Sequence, residues 1–491
     1  MAETIIREVD IYDGTGAESV VGDIGIDGDR LILNPDQSGS TNVIDGRGLA
    51  ASPGFIDVHT HDDFAAVLHP DMAFKVCGGV TTCVVGNCGM GAAPFRQAAV
   101  MARAFHPNAQ LPEWDGYSGY LDLLDANPPG VNIAALVGHG TLRMAVLGNS
   151  ARAPENDELA RMQNLLVEGL EAGAIGMSSG LIYDPGRHAQ TDELIALAGM
   201  MQATGGVYTT HMRDEGLNLL QSVEEAIAVG AGAGVAVQIS HHKASGRAAW
   251  GLVTKSLLLI DAAQRAGANV HADQYPYTAG STILSAIFRQ GRFGTDSDMI
   301  SASDVVIATA SGFADWEGKS IAALAGEFDT DPDSAAASVL KRCPGATVIL
   351  HSMNEDDVKT VMRHPSTMIG SDGIPTLEGR PHPRLYGTFA RVLGHYSREL
   401  GLFPLEEAVY RMTGFPAAKF GFEDRGVIRD GALADLVLFD PCTILDMGTF
   451  SDPNQYPVGI HKVWVNGTLT VDGLKHTGAR AGRTLRNGAT R

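Results

Sequence analysis

The stretch GFIDVHTHDD, from Gly54 to Asp63, ends an apolar run in His59-Thr60-His61. Residues i and i+2 of a strand share a side, so two imidazoles there can face one metal ion. The motif alone carries little weight, because 16 His in 491 residues would give about 0.5 such pairs by chance. Other apolar runs, however, end in residues of similar chemistry: Asn87-Cys88-Gly89, His139, Thr210-His211, Ser240-His241-His242-Lys243 and Ser371-Asp372-Gly373. A thiolate among imidazoles suits Zn²⁺ and is too soft for Mg²⁺ or Ca²⁺. A catalytic zinc keeps an open position, where the pKa of a bound water falls to about 7. Asp372 is placed to take a proton and later deliver it to a leaving amine.

Something must bring these run ends together. FIDVHTH, TTCVVGNCG, NIAALVGHG, AIGMSSG, GVYTTHM, GVAVQISHH, NVHADQYPY and TMIGSDG are eight short apolar or β-branched runs. Buried parallel strands read this way. The segments between them have helical periodicity. NDELARMQNLLVEGLEAGA puts Leu159, Met162, Leu165, Leu166 and Leu170 on one face, with Asn156 or Asp157 as its cap and Gly173 as its stop. Eight such units predict an α/β fold, a (β/α)₈ TIM-like barrel, with the chemistry at the C-terminal ends of the strands. An open doubly wound sheet would instead want G-x-G-x-x-G after its first strand.

The last unit is irregular. About ninety residues separate Tyr277 from Thr367, and a loop that long needs structure of its own. The expectation is a mostly helical insertion, 278–366, over the barrel mouth. Both chain ends read as strand-turn-strand with Asp-Gly turns. The expected organisation is a barrel over 53–420 and one small β-sandwich made from 1–52 and 421–491.

Composition narrows the function. A net charge of −21 argues against nucleic acid or an anionic membrane as partner and says little else; a small-molecule substrate is the expectation that the motifs below imply. No apolar run reaches the ~18 residues of a membrane span. The N-terminus MAETIIREVDIYDG lacks a basic leader region. Five sparse cysteines, Cys77, Cys83, Cys88, Cys343 and Cys442, do not suit a disulfide framework, so a cytoplasmic location is expected.

PGFIDVHTHDD, GVTTCVVGNCG, GHGTLR, SSGLIYDPG, THMRDEG, SHHKASG, DQYPYTAGST, IGSDG and HPRLYGTFARVLG together resemble the D-aminoacylases. These are N-acyl-D-amino-acid deacylases of the metal-dependent amidohydrolase superfamily. The resemblance spans nearly the whole chain. It implies zinc-dependent hydrolysis of the amide of an N-acyl-D-amino acid, with acidic N-acyl-D-amino acids or another N-acyl amide as alternative substrates. It implies Cys88, His211 and His241 as ligands of a tightly held zinc, and His59 and His61 at a weaker second position that Cys88 bridges. Period two does not decide between His241 and His242; the resemblance selects His241. Asp372 resembles the acid/base, and Tyr183 the group that polarises the scissile carbonyl. Lys243, Tyr275 and Arg384 resemble the grips on the substrate carboxylate, and Ser281 lies with Tyr183 in the substrate pocket. Many amidohydrolases bridge two metals with a lysine from the fourth strand. AIGMSSGLIY has none, as expected of a cysteine-bridged group. The chain departs from the pattern at Asp184 and Arg187, beside Tyr183, where an apolar or small residue and an aromatic one are expected. A non-catalytic scaffold of the same fold is disfavoured, because every expected ligand is present.

Overall fold

All eight apolar runs form strands in a computed structural model that describes residues 2–36, 42–103, 105–106, 109–289, 291–293 and 300–487. They are β1 (Phe55–Asp57), β2 (Val80–Val85), β3 (in two runs, Asn132–Ala135 and Val137–Gly138), β4 (Gly176–Gly180), β5 (Val207–His211), β6 (Ala236–Ile239), β7 (Val270–Gln274) and β8 (Thr367–Ile369). Nearly every residue in them is buried, which is why they read as continuous rather than alternating apolar runs. All neighbouring pairs are parallel. β1, β2 and the first run of β3 make one sheet; the second run of β3 continues through β4, β5, β6 and β7 to β8 in another. Only Leu136 separates the two runs of β3, and a parallel bridge from Thr60 to Gly373 joins the segments that follow β1 and β8.

Ile56, Val84, Ala134, Val207 and Met368, from five of the strands, share one apolar cluster with Phe415, Phe420 and Phe422. The intervening helices pack against the strands. That of Asn156–Glu171 buries Met162, Leu166 and Leu170, but its cap is Glu155 rather than Asn156 or Asp157. Glu155 and Glu158 form a reciprocal capping box, which satisfies two backbone N–H groups at once and so displaces the single-residue cap.

The chain ends meet in one nine-stranded sheet. Ala50–Pro53 is its central seam: it runs parallel to Thr4–Ile11 and antiparallel to Leu436–Phe439. Ile6, Val9, Ile24, Leu31, Leu436 and Trp464 pack together on this sheet.

The described elements of the segment 278–366 are richer in helix than in strand, in keeping with its periodicity, but its strands join into a sheet that periodicity does not predict. The segment holds a three-stranded antiparallel sheet of Gly280–Ile283, Thr347–Leu350 and Val305–Thr309, backed by helices Ile321–Glu327 and Pro332–Arg342. Its core is its own and includes Leu284, Ile307, Trp316, Leu324, Val339 and Val348. The β-branched run Val305-Val306-Ile307 becomes a strand because it pairs with Val348–Leu350, a partner that local periodicity cannot reveal. Among the described residues no helix is long and apolar enough to cross a membrane.

Candidate active site

The polar run ends converge just beyond the strands. After β2 the chain turns sharply through Gly86-Asn87-Cys88-Gly89. A Cβ on Gly86, whose φ is +82°, would lie 2.3 Å from the Leu136 carbonyl oxygen. Cys88 itself has φ 53°, and the turn aims its Sγ across the strand ends. That sulfur lies 3.3 Å from His59 Nε2, 3.6 Å from His211 Nδ1 and 3.7 Å from His241 Nε2. The two nitrogens of His211 and His241 are 2.7 Å apart. Asp372 Oδ1 is 3.4 Å from His59 Nε2 and 3.1 Å from His61 Nε2. All six side chains are buried.

Two overlapping donor groups result, one of His59, Cys88, His241 and Asp372, the other of His211, Glu215 and His241. His211 Nε2 is buried without a hydrogen-bond partner. The set fits a metal ion, because so many soft and borderline donors in one dry place need a cation to satisfy them. Burial alone would push the Cys88 thiol up; the charge of His59 and the contacts from His211, His241 and His59 outweigh it and hold the thiol well below its ordinary value. It is therefore a thiolate, the form that binds metal.

Two carboxylates that sequence reasoning missed orient this set. Asp273 accepts from the His241 backbone N–H at 2.9 Å and from Gln238 Nε2 at 2.6 Å, and it lies 3.2 Å from His59 Nδ1. Glu215 sits 2.9 Å from His241 Nδ1 and accepts from Lys243 Nζ at 2.6 Å. A carboxylate on the far nitrogen of a ligating histidine sets its tautomer and aim. The His211-x₃-Glu215 spacing and the end of NVHADQ were the available signals. Beneath the site, buried Lys75 donates to Asp57 at 2.8 Å and to Ser371 Oγ at 2.9 Å.

Lys243, Tyr275 and Ser281 line one cavity with Tyr183, His211, His241 and Asp372. Burial raises Tyr183 well above the ordinary tyrosine range, so its O–H stays protonated at neutral pH, 3.1 Å from Thr282 Oγ1. Arg384 is not on that cavity's wall. It stacks behind Tyr275, 4.5 Å from the ring centre, and forms an ion pair with Asp372 at 2.9 Å. Of the remaining histidines, His242 turns away to Ser256 Oγ at 2.9 Å, and His139 is held by Glu193 at 2.8 Å. Asp184 is exposed at the rim of an adjoining cavity, 3.0 Å from His188 Nε2; the same cavity is lined by His61, Tyr183 and Asp372.

Comparison with known proteins shows the family. Residues 42–471 match the amidohydrolase family. D-aminoacylase of Alcaligenes xylosoxydans xylosoxydans is 42% identical over 482 residues, 97% of this chain and 96% of that protein. N-acyl-D-aspartate deacylase of the same organism is 39% identical over 492 residues, 99% of this chain and 95% of that protein. The crystal structure of N-acyl-D-glutamate deacylase from Bordetella bronchiseptica contains zinc and a phosphonate inhibitor that mimics the tetrahedral intermediate. It matches with a TM-score of 0.90 at 38% identity over 99% of both chains. The chain belongs to the amidohydrolase family, in the metal-binding branch that includes the D-aminoacylases.

Proposed function

We propose that this protein hydrolyses the amide bond of N-acyl-D-amino acids, releasing a D-amino acid and a carboxylate, at a zinc centre held by Cys88, His211 and His241. His59 and His61 would hold a second ion more weakly. The observation that carries the proposal is the spacing of the donors. Zn–S and Zn–N bonds of about 2.3 and 2.0 Å at a tetrahedral angle span about 3.6 Å, and Cys88 Sγ lies 3.6 and 3.7 Å from the two nitrogens; the nitrogens themselves, 2.7 Å apart, must separate to about 3.3 Å to share the ion.

Zinc bound there supplies a Lewis acid and acidifies water to a pKa of about 7. The chain's own residues do the rest. Asp372 accepts the proton of the attacking water and passes it to the leaving nitrogen. The neutral Tyr183 O–H donates to the carbonyl oxygen as it gains charge. Lys243, steadied by Glu215, and Tyr275 hold the α-carboxylate, with Ser281 on the same wall. The D configuration follows the relatives' substrates. An acidic side chain is the second reading, favoured by Arg289 on the cavity wall.

The eight parallel strands are read as a closed (β/α)₈ barrel over 53–420, with 278–366 at its mouth and a β-sandwich from 1–52 and 421–491. Four of the five free thiols are buried, which suits a reducing cytoplasm. The test is a panel of N-acetyl amino acids of both hands, carrying Leu, Met, Asp and Glu side chains. Turnover confined to the D series is expected; turnover of L-substrates alone would overturn the proposal.

A further inference from the structure

Two cavities meet at the reacting centre. The first, about 100 Å³, contains Lys243 and Tyr275. The second, about 190 Å³, contains neither. They share a wall that includes Tyr183, Ser281, Thr282, Arg289 and Asp372. Their other walls differ in character. Arg213, Asp214, Glu215 and Lys243 line only the first. Met90, Met101, Phe105, Ile283 and Ile374 line only the second, with Asp184 at its exposed rim.

We propose that the second cavity is the acyl-chain subsite, and that it takes an unbranched aliphatic acyl group longer than acetyl. The inference rests on the function proposed above. It follows from the order of atoms in the substrate: carboxylate, Cα, nitrogen, carbonyl carbon, acyl chain. The carboxylate grips, Lys243 and Tyr275, lie only in the first cavity. The groups assigned to the carbonyl oxygen and the leaving nitrogen, Tyr183 and Asp372, lie on the shared wall. A substrate held at both places extends its acyl chain into the second cavity. The side chain on Cα branches earlier and has Ile287, Ile300 and Leu350 of the first cavity beside it.

The chemistry of the wall agrees: Met90, Met101, Phe105, Ile283 and Ile374 offer the acyl chain apolar contacts. Two methionines give its wall an adaptable surface suited to chains of differing length. The walls come from the loops after β1, β2, β4 and β8, from the helix Phe95–Ala102 and Phe105 beyond it, and from the 278–366 segment, so the subsite is independent of the lysine-bearing loop after β6.

The test is kcat/KM for N-formyl, N-acetyl, N-butanoyl and N-hexanoyl derivatives of one D-amino acid. Each methylene fully buried is worth about fourfold, so butanoyl, with two more, should exceed acetyl by roughly fifteenfold. Met101→Trp, which fills the cavity, should bring the butanoyl-to-acetyl ratio below one. The wild-type series stands without the variant should Met101→Trp fail to fold. A steady fall from acetyl to hexanoyl in the wild type would overturn the subsite. So would a Met101→Trp enzyme that changes side-chain preference and keeps the acyl ratio, because the cavity would then hold the side chain. If no N-acyl-D-amino acid is turned over, the activity itself fails and the subsite with it; if acetyl is turned over without gain from butanoyl, only the subsite fails.

Discussion

Arg384 Nη1 lies 2.9 Å from Asp372 Oδ2, and both side chains are buried. Burial would push the Asp372 carboxyl up, but Arg384 first, then His59 and His241, holds it well below the usual carboxylate range. The arginine that resemblance assigns to the substrate carboxylate is thus positioned, in this structure, as the counter-ion of the proposed acid/base. Arg384→Lys loses the planar group stacked on Tyr275. We expect kcat to fall about tenfold or more with KM little changed. A rise in KM alone would return Arg384 to the substrate carboxylate.

The proposed ligands separate by metal content. Cys88→Ala should strip the tightly held metal, because the sulfur touches donors from three strand ends. His59→Ala and His61→Ala should lower activity and leave that metal in place. Asp372→Ala should retain metal and lose turnover. Elemental analysis of freshly purified variants beside their rates checks all three, and a metal-replete Cys88→Ala protein would displace sulfur from the ligand set.

Lys75 ties the first strand to the last. Its ammonium lies 2.8 Å from Asp57, 3.3 Å from Asp62 and 2.9 Å from Ser371, one residue before Asp372. Asp57 also accepts from the Ser371 N–H at 2.8 Å. Lys75→Met would leave two carboxylates buried without a cation, a loss of about 3–5 kcal/mol of stability. Urea unfolding should show it, and Asp57→Asn in the same chain should recover part. An unchanged midpoint would mean that water or rearrangement compensates.

His271 gives the fold an acid-sensitive element away from the proposed ligands. Burial first, and the nearby Lys419 second, depress it from 6.5 to about 3. Its Nδ1 is 3.2 Å from Lys419 Nζ, and its ring meets Phe415 edge-on. Between these pH values the unfolded chain binds a proton that the folded one refuses. Stability from this group is therefore full above about 6.5 and falls as pH drops toward 3, by at most about 1.4 kcal/mol per unit. His271→Phe should flatten the fall of the unfolding midpoint between pH 6 and 4; an unaltered slope would show that His271 titrates normally.

Much of this was legible in the chain. Buried parallel strands announce themselves as apolar runs, and the donors stand at their ends, so His59, Cys88, His211, the pair His241-His242 and Asp372 could be singled out in sequence order. His241 and His242 could not be separated, because β6 ends at Ile239 and strand alternation no longer governs the residues beyond it. A φ of 36° at His241 then sends its ring inward, while His242 reaches Ser256. Glu215 and Asp273 stand near the same strand ends, but their role lies in contacts with His241 and His59 from other strands, which their local spacing does not encode. The sheet within 278–366 was hidden for the same reason: Val305–Thr309 finds its partner some forty residues on.

Among the described residues, eight that are not glycine have positive φ, and Cys88, His241 and Asp372 are three of them. An L-residue in the left-handed region carries a cost of roughly 1–2 kcal/mol, which glycine escapes. Glycine is also the residue that offers neither donor nor base. At Asp372, however, glycine would leave the buried Arg384 guanidinium unpaired, a loss of about 3–5 kcal/mol that exceeds the strain relieved. The left-handed angle there is held in place by the ion pair that the side chain makes.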